Sequence, residues 1–173
     1  MTFDLCEWNK TLAPSLAESA NDVRVARFLR DSFPYPYTER DAERFIEAAL
    51  KDSAGLSRAI IVQGRAVGAI ALTKMSDVYQ KSAELGYWLA PAFWKRGIMT
   101  EAVRLICRKG FDTCGIIRIY AEPFAENVAS RRVLEKCGFV LEGVLSKSIY
   151  KGGVFRDSCI CIALRIKPLR GNI

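Results

Sequence analysis

The chain has 173 residues, of which 50% are hydrophobic and 26% charged, a composition typical of a globular protein rather than a disordered or fibrous one. Its 26 Lys and Arg residues exceed its 19 Asp and Glu residues, and the net charge of +7 is compatible with nucleic acid, an anionic membrane or a phosphate-bearing ligand. The absence of histidine excludes Ser-His-Asp and Cys-His catalysis and every histidine-containing metal site.

Hydropathy and cysteine content indicate the setting of the protein. No apolar stretch approaches the roughly 18 residues that span a bilayer, and the first residues lack the pattern of a signal peptide. We therefore expect a cytoplasmic protein with no membrane partner, folded as a single domain over residues 1–173. The six cysteines are expected to be reduced and to pack in the core, with no metal bound and no cysteine nucleophile.

The N-terminal third predicts helices. One or two short helices are expected between residue 12 and the aromatic loop at 32–37, and a longer helix follows Thr38, which with Asp41 has the pattern of a capping box. Helical spacing of apolar residues is present after this cap, at Ala42, Phe45, Ile46, Ala49 and Leu50.

The rest of the chain predicts strands interrupted by two helices. The predicted strands are 59–62, 66–73, 82–89, 117–121, 139–150 and 154–166, and the predicted helices are 100–111 and 129–136, the second ended by Gly138. In the helix at 100–111, Ala102, Leu105, Ile106 and Phe111 are available for burial. The predicted order, α-α-β-β-β-α-β-α-β-β, indicates a mixed sheet of the α/β or α+β class.

The segment between Leu89 and Thr100 carries the clearest functional signal. A loop that enters a helix leaves about four backbone N–H groups unpaired, and the helix dipole adds roughly half a positive charge there. Gly97 removes a side chain where a ligand would approach, while Lys95 and Arg96 add two cations. This pattern predicts a cradle for a diphosphate, although a basic turn without a ligand is equally compatible with these residues alone.

Several segments resemble one enzyme family. Residues 83–91 (AELGYWLAP) and 94–102 (WKRGIMTEA) resemble the acyl-coenzyme A motif of the GNAT N-acetyltransferase superfamily, and residues 126–139 (ENVASRRVLEKCGF) resemble its second motif. Together with residues 139–145 and 21–38, they resemble the RimJ/RimL type of ribosomal-protein N-acetyltransferase. The resemblance implies a GNAT-like mixed, mostly antiparallel sheet flanked by helices, with acetyl-CoA as co-substrate.

The resemblance also implies groups that bind acetyl-CoA. The diphosphate would meet the backbone amides of Lys95, Arg96, Gly97, Ile98, Met99 and Thr100. The pantetheine arm would pair with the backbone of Trp88, Leu89 and Ala90, and the Leu89 N–H would polarise the thioester carbonyl. Asn127 would hydrogen-bond the pantetheine amides, cap its helix, or do both.

Two positions depart from the family pattern. Met99 stands where the family loop usually has glycine or alanine, which predicts crowding of the loop. Leu134 stands where many members carry a tyrosine that protonates the departing thiolate. The resemblance to the RimJ/RimL type offers Ser130 instead, one helical turn earlier; its other interpretation is a helix cap.

The acceptor side is predicted from fewer signals. Glu84 is the candidate base, relaying a proton through water, and the alternative is a surface carboxylate facing Lys81 or Arg118. Tyr35 and Tyr37 would either wall the acceptor groove and orient the amine or simply cover the core.

Together these residues predict an acetyl-CoA-dependent N-acetyltransferase in which the acceptor amine attacks the thioester directly. Its acceptor would be a protein N-terminal α-amine, with small amines left open. The alternative is a basic binding module of GNAT-like fold that recognises RNA or ribosomes without catalysis. We expect no DNA partner, and a homodimer is left open.

Overall fold

The computed structural model describes residues 2–52 and 55–165, and within these residues the chain forms seven strands and five α-helices. The strands are β1 (Asp4–Cys6), β2 (Leu56–Val62), β3 (Arg65–Lys74), β4 (Ser82–Leu89), β5 (Arg118–Ala121), β6 (Val140–Lys151) and β7 (Val154–Leu164). The helices are α1 (Ala13–Ala20), α2 (Val23–Ala26), α3 (Glu39–Lys51), α4 (Ile98–Thr113) and α5 (Val128–Lys136).

All seven strands belong to one sheet, in the order β1-β2-β3-β4-β5-β7-β6. Every neighbouring pair is antiparallel except β4 and β5, which are parallel and are joined through α4. The predicted mixed, mostly antiparallel sheet flanked by helices is therefore confirmed. Among the described residues no helix is both long enough and apolar enough to cross a bilayer.

Local sequence signals explain the start of α3 and the turn between β2 and β3. Thr38 and Asp41 form the predicted capping box, in which the Thr38 N–H donates to the Asp41 carboxylate at 2.9 Å and the Asp41 N–H donates to the Thr38 hydroxyl at 3.3 Å. The hairpin between β2 and β3 turns through Gln63 and Gly64, both at positive φ (50° and 75°), as a two-residue type I′ turn requires.

Several sequence expectations differ from the structure. Strand β1 has no counterpart among the predicted strands, because three residues are too few to show an alternating pattern. The helices before residue 53 agree with the prediction, because α1 and α2 are short and α3 is the longer helix after Thr38. Leu50 and Leu105, expected in the core, are 53% and 40% exposed. The predicted end of the last strand at 166 lies outside the described residues.

Helices cover both faces of the sheet, and β4 contributes to the core on each side. Ala83, Leu85 and Leu89 pack in the cluster that includes residues of α4 and α5. Trp88 packs against the second cluster, which includes residues of α1 and α3. Because side chains alternate along a strand, the odd-numbered residues of β4 face α4 and α5, and the even-numbered residues face the N-terminal helices.

Candidate active site

The two strands at the centre of the sheet separate before β4 ends. β4 pairs with β5 only from Ser82 to Glu84, whereas its pairing with β3 continues to Leu89. The last part of β4 therefore presents one edge to β3 and leaves the other edge unpaired toward a gap beside β5. An extended ligand that carries amide groups can add to such an edge.

Backbone hydrogen bonding decides which β4 groups face this gap. The Ala90 N–H donates to the Val67 carbonyl at 2.8 Å. Because antiparallel pairs alternate between bonded and non-bonded positions, the Trp88 N–H also points to β3, and the Leu89 N–H points into the gap. The backbone predictions for Trp88 and Ala90 are therefore corrected, since their N–H groups are directed into the sheet. The orientation of Leu89 supports its predicted role.

Trp94 makes a contact with the end of β4 that sequence reasoning missed. Its indole Nε1 donates to the Leu89 carbonyl at 2.6 Å, and the Arg24 guanidinium of α2 lies 5.9 Å from the ring centroid. The Leu89 carbonyl thus has a protein donor, and the Leu89 N–H is the backbone group of that residue that remains directed into the gap. The indole also fixes the end of β4 relative to the loop that follows it.

The loop after β4 exposes backbone amides at the start of α4. Lys95 and Gly97 have positive φ values of 60° and 79°, and the helix begins at Ile98. The Glu101 N–H donates to the Gly97 carbonyl at 3.1 Å, which is the first hydrogen bond of the helix. The N–H groups of residues 98–100 therefore have no acceptor within α4. Gly97 cannot cap them with a side chain, and a Cβ built on it would meet no atom within 4 Å. The arrangement can accept an anion.

Met99 does not crowd this loop. Its side chain is 8% exposed and packs in the cluster between the sheet and α4, beside Ile98 at 2% exposure. Lys95, Arg96 and Gly97 are exposed on the other side of the loop. The expected crowding is therefore wrong, because a residue in the first turn of α4 can turn its side chain inward while its amide stays at the helix start.

The start of α5 holds two of the predicted residues. The Asn127 Oδ1 accepts the Ser130 N–H at 3.1 Å, so Asn127 is the N-cap of α5. The Ser130 hydroxyl lies 2.8 Å from the hydroxyl of Tyr87, which extends from β4. Leu134, at the position of the family tyrosine, is fully buried. Ser130 therefore lies next to the unpaired part of β4, with a phenol that sequence reasoning did not assign to the site.

Burial keeps the titratable groups around this contact neutral. It raises the pKa of the Tyr87 phenol above its ordinary value and raises the pKa of Cys107 to about 12. The pKa values of Cys137 and Cys161 are also raised by burial. A thiol with a raised pKa is a weak nucleophile at neutral pH, so Cys107, Cys137 and Cys161 are poor candidates to carry the acyl group.

Glu84 lies where β4 and β5 separate, on the face of β4 opposite to Tyr87. Its Oε1 accepts from the Arg30 guanidinium at 2.5 Å, and its side chain is 27% exposed. Arg118, one of the partners considered from sequence, instead pairs with Glu142. Glu84 thus lies beside the segment that connects α2 to α3, and Arg30 is a neighbour that sequence reasoning missed.

The aromatic segment before α3 divides into a buried and an exposed part. Tyr37 is 6% exposed, and burial raises its pKa to about 12. Phe33 packs between Tyr37 and Trp88, with ring centroids at 4.7 and 5.7 Å. Tyr37 therefore belongs to the core, and its burial favours the second interpretation, in which it covers the core rather than orients an amine. Tyr35 is 54% exposed and stays a candidate for acceptor contact.

A lysine from the C-terminal hairpin holds this segment in position. The Lys151 ammonium donates to the Leu29 carbonyl at 2.7 Å and to Asp31 at 2.9 Å. The segment between α2 and α3 is therefore attached to the sheet at three places: by Lys151, by the Arg30–Glu84 pair and by the packing of Phe33 on Trp88. It forms a fixed wall beside Glu84.

Comparisons with known proteins agree with this geometry. The family described as "Acetyltransferase (GNAT) domain" matches residues 4–140. The uncharacterized N-acetyltransferase YoaA of Bacillus subtilis (strain 168) is 35% identical over 92 residues, 53% of this chain and 51% of that protein. The ribosomal-protein-serine acetyltransferase of Escherichia coli (strain K12) is 24% identical over 98 residues, 57% of this chain and 54% of that protein. The matched region thus spans about half the length of these relatives.

A solved structure has the same fold over nearly the whole length of both chains. The RimL ribosomal L7/L12 α-N-protein acetyltransferase, in complex with coenzyme A, superposes with a TM-score of 0.85 and 20% identity over 95% of this chain and 94% of that one. The sheet that separates between β4 and β5, the anion-accepting start of α4 and the family match over most of the sequence lead to one conclusion. The chain belongs to the GNAT acetyltransferase domain family.

Proposed function

We propose that the chain transfers the acetyl group of acetyl-CoA to a primary amine, most directly a protein N-terminal α-amine, without an acyl-enzyme. The observation that carries the proposal is the edge of β4 that, among the described residues, has no strand partner beyond Glu84. Tyr87 on this part of β4 contacts Ser130 of α5, and the loop after the strand leads to the amide-bearing start of α4. This arrangement supplies a hydrogen-bonding edge for an amide-containing arm and an anion site at one end of it.

Binding of the coenzyme would use the two ends of this gap together. The amides of residues 98–100, with the cations of Lys95 and Arg96, would hold the diphosphate. Attraction to a helix end contributes only about 0.3–1 kcal/mol per charge, so several amides and both cations are needed for useful affinity. Asn127 accepts the Ser130 N–H through Oδ1, and its Nδ2 would donate to a pantetheine carbonyl.

The Leu89 N–H would polarise the thioester carbonyl. It points into the gap, and the Trp94 indole donates to the carbonyl of the same residue, so the backbone at Leu89 is held in place before the reaction begins. A single preorganised donor of this kind is worth about 2.7–4 kcal/mol where water is excluded. Negative charge that develops on the carbonyl oxygen would be stabilised without reorganisation of the strand.

The acceptor must reach the carbonyl as a neutral amine. At pH 7, removing the proton from a lysine with a pKa of about 10.4 costs about 4.6 kcal/mol, whereas an α-amine with a pKa of about 7.7–8.0 costs about 1–1.4 kcal/mol. The chain contains no histidine to act as base. Glu84 would take the proton, directly or through water, with Arg30 beside it. Because a carboxylate is a weak base, the acceptor that loses its proton at the lower cost, the α-amine, is favoured.

Calorimetry with acetyl-CoA, followed by a thiol-release screen, tests the proposal. Micromolar binding, together with coenzyme A release that depends on N-terminal peptides, polyamines or aminoglycosides, would support it and identify the acceptor class. No binding of acetyl-CoA, together with a steeply salt-dependent affinity for RNA, would replace it with the binding module considered from sequence.

A further inference from the structure

The contact between Tyr87 and Ser130 contains one phenol and one alcohol, and the direction of their hydrogen bond determines what Ser130 can do. The two hydroxyl oxygens are 2.8 Å apart, while the Ser130 backbone carbonyl lies 3.2 Å from the Tyr87 hydroxyl. Ordinary O–H···O bonds cluster at about 2.7–2.8 Å, so Ser130 Oγ is the better acceptor of the phenol proton. The phenol is also the more acidic hydroxyl and therefore the better donor.

This direction leaves the Ser130 proton available. If Tyr87 donates to Ser130 Oγ, the serine hydroxyl does not have to donate back, and among the described residues no other acceptor for it is recorded. The backbone of Ser130 is fixed independently, because its N–H donates to Asn127 Oδ1 at 3.1 Å. The serine is thus held at two points on the α5 side of the gap.

We infer that Tyr87 is a positioning residue, which donates to Ser130 Oγ and directs the Ser130 proton toward the sulfur of coenzyme A. The inference rests on the proposed function and adds a role for a residue of β4. Tyr87 is two residues before Leu89 on the same strand, so the residue that positions the sulfur donor and the donor to the carbonyl oxygen both belong to β4.

The chemical step balances without loss of the Tyr87 proton. The amine nitrogen forms a bond to the carbonyl carbon, the C–S bond breaks, and its electron pair goes to sulfur. The proton of the amine goes to Glu84 or water. Ser130 keeps its proton and donates a hydrogen bond to the thiolate, which later takes a proton from solvent. A phenol that donates to the serine polarises its O–H and strengthens that bond.

The surroundings of Tyr87 support a phenol that stays protonated. Burial raises its pKa, and the titratable groups that face it are Cys107 of α4, Cys137 after α5 and Cys161 of β7. Burial also raises the pKa of each of these thiols, so they bring no negative charge to the contact. The hydrogen bond therefore persists throughout the neutral pH range.

The thiol pKa of bound coenzyme A tests this role and requires no acceptor. Coenzyme A is bound to the wild-type protein and to the Tyr87→Phe, Ser130→Ala and double variants, and thiolate absorbance is recorded against pH, with desulfo-coenzyme A complexes as blanks. Tyr79→Phe, which removes an exposed hydroxyl outside the site, is the matched control. Calorimetry on each protein reports coenzyme affinity separately.

We expect the thiol pKa to rise by about one unit in Ser130→Ala, by a smaller amount in Tyr87→Phe and not at all in Tyr79→Phe. In the Ser130→Ala background, Tyr87→Phe should add nothing, which a purely structural role for Tyr87 would not produce. Equal thiol pKa values in all five proteins would overturn the inference, and so would a Tyr87→Phe effect that is as large in the Ser130→Ala background as in the wild type. Either result would leave the proposed function standing. Failure of the wild-type protein to bind coenzyme A would overturn the proposed function as well.

Discussion

Substitution of Gly97 separates two requirements of the loop at residues 95–100, which would bind the diphosphate. One is an unusual backbone conformation, and the other is open access for an anion. At φ 79°, any side chain costs about 1–2 kcal/mol of backbone strain, and Asn and Asp tolerate this region best. A Cβ meets nothing within 4 Å, so the strain is not increased by a collision. Gly97→Asp and Gly97→Asn have nearly the same shape, and both can cap α4, which makes them a matched pair that differs in charge.

The expected magnitude follows from Coulomb's law. A carboxylate about 5 Å from one phosphate charge is repelled by about 0.8 kcal/mol in water and by about 3.3 kcal/mol at an effective dielectric constant of about 20. Gly97→Asp should therefore bind acetyl-CoA about 4- to 270-fold more weakly than Gly97→Asn. The two variants should have similar stability, because a negative charge at the start of a helix is not destabilising.

Titration calorimetry at low and high salt measures this difference. The ratio between the two variants should shrink as ionic strength rises, since screening acts on exposed charges. It should be absent with acetylpantetheine, which has no diphosphate and serves as the control ligand. Equal affinities of Gly97→Asp and Gly97→Asn for acetyl-CoA at low salt would refute the assignment of the diphosphate to this loop.

Three further substitutions test Glu84 on the acceptor side, Asn127 at the start of α5 and the buried Tyr37. Glu84→Gln should flatten the acidic limb of the pH–rate profile, and Glu142→Gln, which removes another Arg-paired carboxylate, should leave it unchanged; an unaltered limb in the first variant would dismiss Glu84 as base. Asn127→Asp keeps the cap oxygen but loses the Nδ2 donor, so it should preserve the melting temperature and weaken acetyl-CoA binding about 5- to 10-fold, whereas unchanged affinity would reduce Asn127 to a cap. Because burial raises the pKa of Tyr37 to about 12, its stabilisation is full below pH 10 and is lost as pH rises toward 12. The unfolding free energy of wild type relative to Tyr37→Phe, from urea titrations, should thus fall by about 1 kcal/mol between about pH 9 and about pH 11, and a pH-independent difference would contradict the burial argument.

Features that depend on neighbouring residues could be predicted from the sequence. The capping box joins Thr38 to Asp41, only three positions later, and Gly138 ends α5 at φ 84° as expected of a helix terminator. β4 begins and ends where its pattern indicated, at Ser82 and Leu89. The motifs of the coenzyme loop are also continuous segments, so the family resemblance could be stated before the fold was known.

The contacts that complete the site join residues that are distant in sequence. Arg30 and Glu84 are 54 positions apart, and Tyr87 and Ser130 are 43 apart. Their proximity depends on where β4 leaves β5 and on how the α2–α3 segment packs, which no local pattern encodes. Alternation along β4 could have indicated that Tyr87 faces α4 and α5, but the partner of its hydroxyl required the structure.

A crystal structure of the protein with acetyl-CoA tests the central claim most directly. We predict that the diphosphate accepts hydrogen bonds from the amides of residues 98–100, and that the thioester carbonyl lies within hydrogen-bonding distance of the Leu89 N–H. A coenzyme bound elsewhere, with the start of α4 making no phosphate contact, would contradict the account.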